Sequence, residues 1–178
     1  MSRTRSFINA ALAFTIVCMA LMSGRSWADG TAAVVYLVRH AEKTHAGRDP
    51  ELSEAGRQRA AELADLLRDA GIGQIYSTDF IRTRETVSPL AERLGLETRL
   101  YDWNDRDQLA ASLNRAGARS LVVGHSNTTT ELVELLGGEA GGEIDEPEEY
   151  DRLYILTISR PEEVETVLIR YGKPYHPQ

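Results

Sequence analysis

Two arginines and two histidines lie at the ends of predicted strands in this sequence. Arg39 and His40 directly follow one apolar run, His125 follows another, and Arg82 comes shortly after a third. The carboxyl ends of parallel strands meet at one edge of an α/β sheet, where ligands bind, so these side chains should lie close together. The three runs are residues 32–38, 120–124 and 74–77.

This combination of side chains suits the transfer of a phosphoryl group. An arginine keeps its charge in a protein, and its planar fork matches two phosphoryl oxygens. A neutral histidine nitrogen is a nucleophile, and a covalent intermediate divides one difficult displacement into two easier steps. Because phosphoryl transfer depends mainly on positioning and charge stabilisation, we expect no metal and no other cofactor.

Two other hypotheses fit part of the pattern. His40, Glu42, His45 and Asp49 have a loop spacing that is weakly typical of metal ligands. That hypothesis leaves both arginines and His125 unexplained. The non-enzyme alternative is a phosphate-binding module without turnover, and the presence of both histidines counts against it.

Residues 1–28 are predicted to be a secretory signal peptide. Arg3 and Arg5 precede an uncharged apolar stretch, and Ala28 offers a small residue at the predicted cleavage point. The two arginines are not adjacent, which favours the general export route. An uncleaved anchor is the alternative, because the apolar stretch approaches the length of a spanning helix. We therefore expect a periplasmic or secreted protein from which Cys18 has been removed with the signal.

Residues 29–178 are predicted to form one domain with a single sizeable core. Three of the 20 basic side chains and none of the 27 acidic ones lie in the predicted signal, so this domain has a net charge of −10. That charge argues against nucleic acid or a membrane surface as a partner. The domain also lacks cysteine, which excludes a thiol site. We expect a small phosphorylated substrate and no obligate protein partner.

Strand and helix patterns alternate along this domain. The third predicted strand in chain order covers residues 97–101, and helices are predicted to begin near Ser53, Phe80, Asp105 and Asn127. The alternation predicts an α/β fold, a three-layer sandwich with helices on both faces of a mostly parallel central sheet. The last two strands, residues 153–159 and 165–171, are joined too briefly for a helical crossover, so they should be antiparallel.

The acidic segment, residues 137–151, interrupts this alternation. Its glycines are followed by a series of carboxylates. We interpret the segment as a solvated loop, and the alternative is a flap beside the site. The carboxylates are Glu143, Asp145, Glu146, Glu148, Glu149 and Asp151.

Four motifs resemble those of the histidine phosphatase superfamily, also called the phosphoglycerate mutase-like family, and occur in the same order. LVRHAEK resembles its Arg-His-Gly signature, and LSEAGRQRA resembles the segment that follows. YSTDFIRTRET resembles the second-arginine motif, and LVVGHSNT resembles the second-histidine motif. Ala41 replaces the usual glycine, as it does in small phosphohistidine-phosphatase-like members. The resemblance covers essentially all of residues 29–178.

The resemblance implies a role for each matched residue. His40 would be the nucleophile that forms a phosphohistidine intermediate. Arg39, Arg82 and His125 would contact the phosphoryl oxygens. Ser77, at the start of the second-arginine motif, would shape the floor of the pocket.

Two further positions follow from the same resemblance. Asn127 opens the helix after His125, so the amides beside it are candidates for contacting the anion, with an ordinary N-cap role as the alternative. Ser126 replaces the aspartate that follows the second histidine in the acid phosphatases and phytases, which favours the mutase-like branch. In that branch an acidic residue follows the third strand. Asp102 matches that position as the general acid, and Asp105 is the reserve candidate.

We therefore expect an exported, metal-independent phosphomonoesterase of the histidine acid type. Phosphohistidine phosphatase activity fits the small size of the chain but not its export. A sugar-phosphate or lipopolysaccharide-core phosphatase fits the location. A mutase is disfavoured, because the domain is short for the extra segments that enclose a bisphosphate.

Overall fold

The computed structural model describes residues 32–117, 119–146, 148–159 and 163–177. The predicted signal peptide lies outside these ranges. None of the helices within them is long and apolar enough to cross a membrane. The strands are β1 (Ala33–Arg39), β2 (Gln74–Thr78), β3 (Thr98–Tyr101), β4 (Arg119–Gly124), β5 (Arg152–Ser159) and β6 (Glu163–Arg170), and the helices are α1 (Glu54–Leu67), α2 (Ile81–Leu94), α3 (Arg106–Ala116) and α4 (Ser126–Leu135).

The strands form one mixed sheet in the order β3-β2-β4-β1-β5-β6. The first four strands of this order are parallel, whereas β5 is antiparallel to β1 and β6 is antiparallel to β5. The predicted fold class and the antiparallel final pair are confirmed. In the register of the central strands, Arg39 lies beside Gly124, so the two strand exits open at the same edge of the sheet.

Alternate side chains of the central strands enter two apolar cores. Tyr36 and Val38 of β1 pack with α1 and α2 on one face of the sheet. Val35 and Leu37 pack with α3 and α4 on the other face. Because both faces of β1 are covered, the strand is apolar until it leaves the sheet, where its first charged side chain, Arg39, appears.

Side-chain caps fix the starts of three helices. Ser53 and Asp105 cap α1 and α3, each accepting a backbone N–H with its side chain. At the start of α2, Phe80 has no capping side chain. Asp49 supplies one from the preceding loop, and its carboxylate accepts the N–H of Ile81 at 3.0 Å. This loop is therefore attached to the helix that carries Arg82.

The prediction that the acidic segment is a solvated loop is wrong for its last part. Glu149, Tyr150 and Asp151 are buried. A carboxylate oxygen of Glu149 lies 2.6 Å from a guanidinium nitrogen of both Arg152 and Arg170, which face each other across the β5–β6 ladder. Two positive charges thus compensate the buried carboxylate, and the segment packs against the sheet edge beside the strand exits.

Candidate active site

The structure brings the four predicted phosphoryl-binding residues together. Arg39 and His40 leave β1, His125 leaves β4, and Arg82 lies in the first turn of α2. The His40 N–H donates to the Gly124 carbonyl at 2.9 Å, which joins the two strand exits. The ring centres of His40 and His125 are 5.5 Å apart.

The segment that follows His40 is fixed by a close backbone approach. The Ser53 N–H donates to the Glu42 carbonyl at 2.9 Å. A Cβ atom on Gly56 would lie 2.0 Å from that same carbonyl oxygen. Only glycine therefore lets α1 pack this closely, which is the physical reason for the glycine in the LSEAG motif.

Arg59 ties the same segment to a distant part of the chain. Its guanidinium donates to both carboxylate oxygens of Glu42, with the shortest contact at 2.8 Å. It also donates to the carbonyls of Tyr171 at 2.7 Å and Lys173 at 2.9 Å. A bidentate, charge-assisted pair of this kind has a strict geometry. The backbone two residues beyond His40 is consequently held in place.

The hydrogen bond of His40 defines its tautomer. Nδ1 lies 2.8 Å from the Ala41 carbonyl oxygen, which only accepts, so Nδ1 carries the proton and Nε2 carries the lone pair. Burial, together with the charges of Arg39 and Arg82, lowers the pKa of His40 to about 2. The imidazole is therefore neutral at physiological pH, which is the form that attacks an electrophile.

Arg39 is held by the acidic segment. Its Nη1 donates to the carbonyls of Glu149 at 3.0 Å and Asp145 at 3.4 Å. The guanidinium carbon lies 4.1 Å from the centre of the Tyr150 ring. Nη2 lies 3.2 Å from a carboxylate oxygen of Glu146, and only 1% of the Arg39 side chain is exposed. These contacts fix both the position and the plane of the guanidinium.

Arg82 is held by contacts nearer the surface. Its Nη1 lies 3.3 Å from the Asp49 carboxylate, and 14% of the Arg82 side chain is exposed. Its guanidinium carbon lies 4.4 Å from the centre of the Phe80 ring. Its Nη2 lies 3.3 Å from Nδ1 of His125. Arg84, two positions on, pairs with Asp79 instead, as expected for residues on different sides of a helix.

His125 is part of a short hydrogen-bond chain. Because Arg82 only donates, Nδ1 of His125 accepts and Nε2 carries the proton, which it donates to the Thr78 hydroxyl at 3.1 Å. That hydroxyl donates to the Thr83 hydroxyl at 3.0 Å. Burial, with the charges of Arg82 and Arg39, lowers the pKa of His125 to about 4. Both histidines are thus neutral beside two cations.

The arginines retain buried nitrogens without a hydrogen-bond acceptor among the described residues. These atoms are Nε and Nη2 of Arg39 and Nε of Arg82, and the contact of Nη2 with Glu146 is ionic only. Burial lowers the pKa of both arginines, yet a guanidinium stays charged in proteins. Buried donors without acceptors cost free energy. A tetrahedral oxyanion would supply acceptors next to the His40 lone pair.

Ser77 and Asn127 lie beside this cluster and make no described contact with its four residues. Ser77 is fully buried in β2, and its hydroxyl donates to the Thr78 carbonyl at 2.9 Å. Thr78, one position on, makes the contact with His125. Asn127 is exposed in the first turn of α4. The predicted roles of both residues in substrate binding stay predictions.

Asp102 and Asp105 likewise make no described contact with the four residues of the cluster. The exposed Asp102 carboxylate accepts from the N–H of Asn104 at 2.9 Å and from its side-chain amide at 3.1 Å. Asp105 caps α3. Asp102 follows β3, an edge strand that β2 separates from β4. Its role as the general acid stays a prediction.

The sequence did not indicate three of the side chains that contact the arginines. Phe80 packs on Arg82, and Glu146 and Tyr150 contact Arg39. The two from the acidic segment were interpreted as part of a solvated loop. The one available signal was Tyr150, an aromatic residue in an otherwise polar stretch.

The residues of the metal-ligand hypothesis are engaged elsewhere. Glu42 pairs with Arg59, Asp49 pairs with Arg82, and His45 is exposed. Within the described ranges, no group of three or more His, Cys, Asp or Glu side chains is arranged to hold a metal ion.

Comparisons with known proteins agree with the motifs. The sequence model of the histidine phosphatase superfamily (branch 1) matches residues 35–105. The probable phosphoglycerate mutase GpmB of Shigella dysenteriae serotype 1 is 31% identical over 126 residues, which are 67% of this chain and 57% of that protein. The chain thus spans less than two thirds of the length of this relative. The chain belongs to the histidine phosphatase superfamily.

Solved structures share the fold. The protein histidine phosphatase SixA complexed with tungstate superposes with a TM-score of 0.63, at 18% identity, over 77% of this chain and 96% of that chain. The mycobacterial glucosyl-3-phosphoglycerate phosphatase Rv2419c with inorganic phosphate superposes with a TM-score of 0.61, at 18% identity, over 80% of this chain and 98% of that chain.

Proposed function

We propose that this protein is a phosphomonoesterase that works through a phosphohistidine on His40. One observation carries the proposal. The Nδ1 proton of His40 is held by the Ala41 carbonyl, so Nε2 carries the lone pair of an imidazole on which the charges of Arg39 and Arg82 act. The motifs of the superfamily and the two neighbours whose structures contain tungstate or phosphate support it.

The reaction has two displacements. Nε2 of His40 attacks phosphorus, the bond to the ester oxygen breaks, and the leaving oxygen takes a proton. Water then attacks the phosphohistidine, the N–P bond breaks, and inorganic phosphate leaves with His40 neutral again. The two arginines stabilise the charge on the equatorial oxygens in both steps, so we propose that no metal is needed.

Radiolabelled substrate and rapid acid-free quenching test this mechanism. The wild type should form a labelled protein whose linkage is acid-labile and alkali-stable, and chelators should not change turnover. His40→Ala should lose both the label and the turnover. His45→Ala is the matched control, since His45 is exposed in the same loop, and it should keep both. A label that persists in His40→Ala would overturn the assignment.

The leaving-group proton is proposed to come from Asp102. Asp102→Asn should then slow sugar phosphates by roughly 10²- to 10⁴-fold, the usual range of general acid catalysis, and slow an activated aryl phosphate much less. Asp105→Asn is the comparison. Equal slowing of both esters by Asp102→Asn would show that Asp102 only maintains the loop.

Phosphohistidine phosphatase activity is the second candidate. One observation favours it: Asp102 hydrogen-bonds to Asn104 and not to the pocket residues, and an imidazole leaving group needs less acid assistance than an alcohol. A turnover panel of phosphohistidine, sugar phosphates and nucleotides separates the two candidates. A higher kcat/KM for phosphohistidine, unchanged in Asp102→Asn, would select the second.

We also propose that the protein is exported. The basic start, apolar centre and small residue at Ala28 support this. N-terminal sequencing of the protein from its host should find Asp29 first. A membrane-bound product that begins at Met1 would show an anchor instead.

A further inference from the structure

Glu146 contacts Arg39, one of the two arginines that the proposed mechanism assigns to the phosphoryl group. Its Oε1 lies 3.2 Å from Nη2 of Arg39, and its side chain is 55% exposed. Its other oxygen, Oε2, accepts from the Ser126 hydroxyl at 2.7 Å. Ser126 begins α4, directly after His125. A phosphoryl oxygen that binds Nη2 of Arg39 would therefore displace this carboxylate, and the Ser126 hydrogen bond could keep it nearby.

A groove between α4 and the acidic segment begins at this carboxylate. Its lining includes Ser126 and Glu146, so it adjoins the carboxylate that contacts Arg39. Lysine and arginine do not occur among the residues that line it, whereas five carboxylates do. These are Glu131, Glu134, Glu143, Asp145 and Glu146.

A cluster of carboxylates alone does not show what binds. The second observation is Arg39, which is 1% exposed and has two buried nitrogens, Nε and Nη2, without a hydrogen-bond acceptor among the described residues. Nη2 faces Glu146. An anion would supply the acceptors that these Arg39 nitrogens lack, whereas all the charged residues that line the groove are acidic.

The charges near Glu146 do not cancel this asymmetry. Arg82 is already paired with Asp49, and Arg106 is paired with Glu131. The Ser126 hydrogen bond and the charges of Arg39 and Lys43 lower the pKa of Glu146, so it is ionised at neutral pH. Lys43 does not line the groove. With Glu131 paired to Arg106, a second anionic group on a substrate would lie beside the four other carboxylates.

We propose that Glu146 determines specificity by favouring phosphate monoesters whose leaving group carries a positive charge, such as an aminoalkyl phosphate. The phosphoryl group binds the two arginines, and the ammonium group lies in the acidic groove near Glu146. Esters with a neutral leaving group are accepted, and esters with a carboxylate or a second phosphate are disfavoured. This inference rests on the proposed function.

Three esters of similar size test the proposal: ethanolamine phosphate, ethylene glycol phosphate and glycolate phosphate, which are cationic, neutral and anionic beyond the phosphoryl group. In the wild type, kcat/KM should be higher for the cationic than for the anionic ester by roughly 10-fold, as expected for partly exposed charges. The ratio should shrink as salt is added.

Glu146→Gln removes the charge and keeps the shape. Because this change also frees Arg39 and affects all three esters, the readout is the cationic-to-anionic ratio, which should fall to about 1–2. Glu148→Gln is the matched control, since Glu148 is exposed on the same segment and does not line the groove, and it should leave the ratio unchanged. A ratio that is the same in Glu146→Gln and the wild type would overturn the proposal.

Binding separates failure of this inference from failure of the proposed function. Calorimetry with the non-turnover variants His40→Ala and His40→Asn should give Kd values in the same order, and adding Glu146→Gln should equalise them. If the wild type hydrolysed none of the esters, the proposed function would fail and the Kd ratio would still decide the inference. If it hydrolysed all three without regard to charge, the inference alone would fail.

Discussion

The two arginines of the pocket are held in different ways. Arg39 is buried at the end of a central strand and is fixed by backbone carbonyls and by the Tyr150 ring. Arg82 lies on a helix, is partly exposed, and is fixed by the side chains of Asp49 and Phe80. The part of the pocket around Arg39 thus belongs to the protein core. The part around Arg82 lies at the surface of the domain. We therefore expect substitutions of Arg39 and its contacts to lower both stability and activity.

Arg39→Ala should have the largest combined effect. It removes the proposed oxyanion contact and leaves the buried Glu149 carbonyl without its donor, while the Asp145 carbonyl keeps the N–H of Glu149. We expect kcat/KM to fall by more than roughly 10²-fold, and the free energy of unfolding to fall by about 2–4 kcal/mol. Urea denaturation and steady-state kinetics measure both. An unchanged midpoint of unfolding would refute the structural part of the comparison.

Arg82→Ala should reduce turnover with little loss of stability. We expect kcat/KM to fall by roughly 10²-fold, with a change in unfolding free energy within about 1 kcal/mol. Arg84→Ala, whose side chain pairs with Asp79 on another side of α2, is the control and should be nearly neutral in both assays. Equal losses of turnover in the two variants would undo the assignment of Arg82.

Two carboxylates behind the arginines offer a comparison of stability alone. Glu149→Ala leaves the buried Arg152 without its partner and should cost about 3 kcal/mol in unfolding free energy. Asp49→Ala removes a partly exposed ion pair and a helix cap, which should cost about 1 kcal/mol. Thermal or urea unfolding of both variants checks this order. The reverse order would show that the contacts around Arg82 contribute more to stability than those around Arg39.

The lowered pKa values of the two buried histidines should make the stability of the protein depend on pH. The folded pKa values of His40 and His125 lie near 2 and 4, below the ordinary value of about 6.5. The unfolded chain therefore binds protons first, and stability falls as pH drops from about 6.5 toward 4. Each group contributes at most about 1.4 kcal/mol per pH unit. His40→Asn should have a shallower slope than the wild type, and identical slopes would contradict the buried, neutral His40.

The sequence was sufficient for the fold and for the four central residues of the site. Strand ends follow directly from hydrophobic runs, and parallel strands bring their ends to one edge, so local patterns predicted a nonlocal cluster. The partners of Arg39 were not accessible in this way. Asp145 lies 106 positions further along the chain. The local pattern of apolar and polar residues does not indicate which distant loop packs against the end of a strand.

The burial of Glu149 could not be predicted from the sequence for a related reason. Its carboxylate is tolerated in the interior because the β5–β6 register places Arg152 opposite Arg170. Taken alone, a run of acidic residues is typical of a solvated loop. Only the pairing of two later strands changes that interpretation.

The contacts of Arg59 have a consequence for the order in which the protein matures. All four pocket residues are synthesised before β5 and β6, but two of the contacts that hold Arg59, those with the carbonyls of Tyr171 and Lys173, can form only after the last strand has been made. The Ser53–Glu42 hydrogen bond and the close approach of Gly56 can form earlier. A growing chain can therefore assemble its parallel strands and the start of α1 before Arg59 has all of its acceptors. The full set of contacts behind the Glu42 segment should arise at the end of folding.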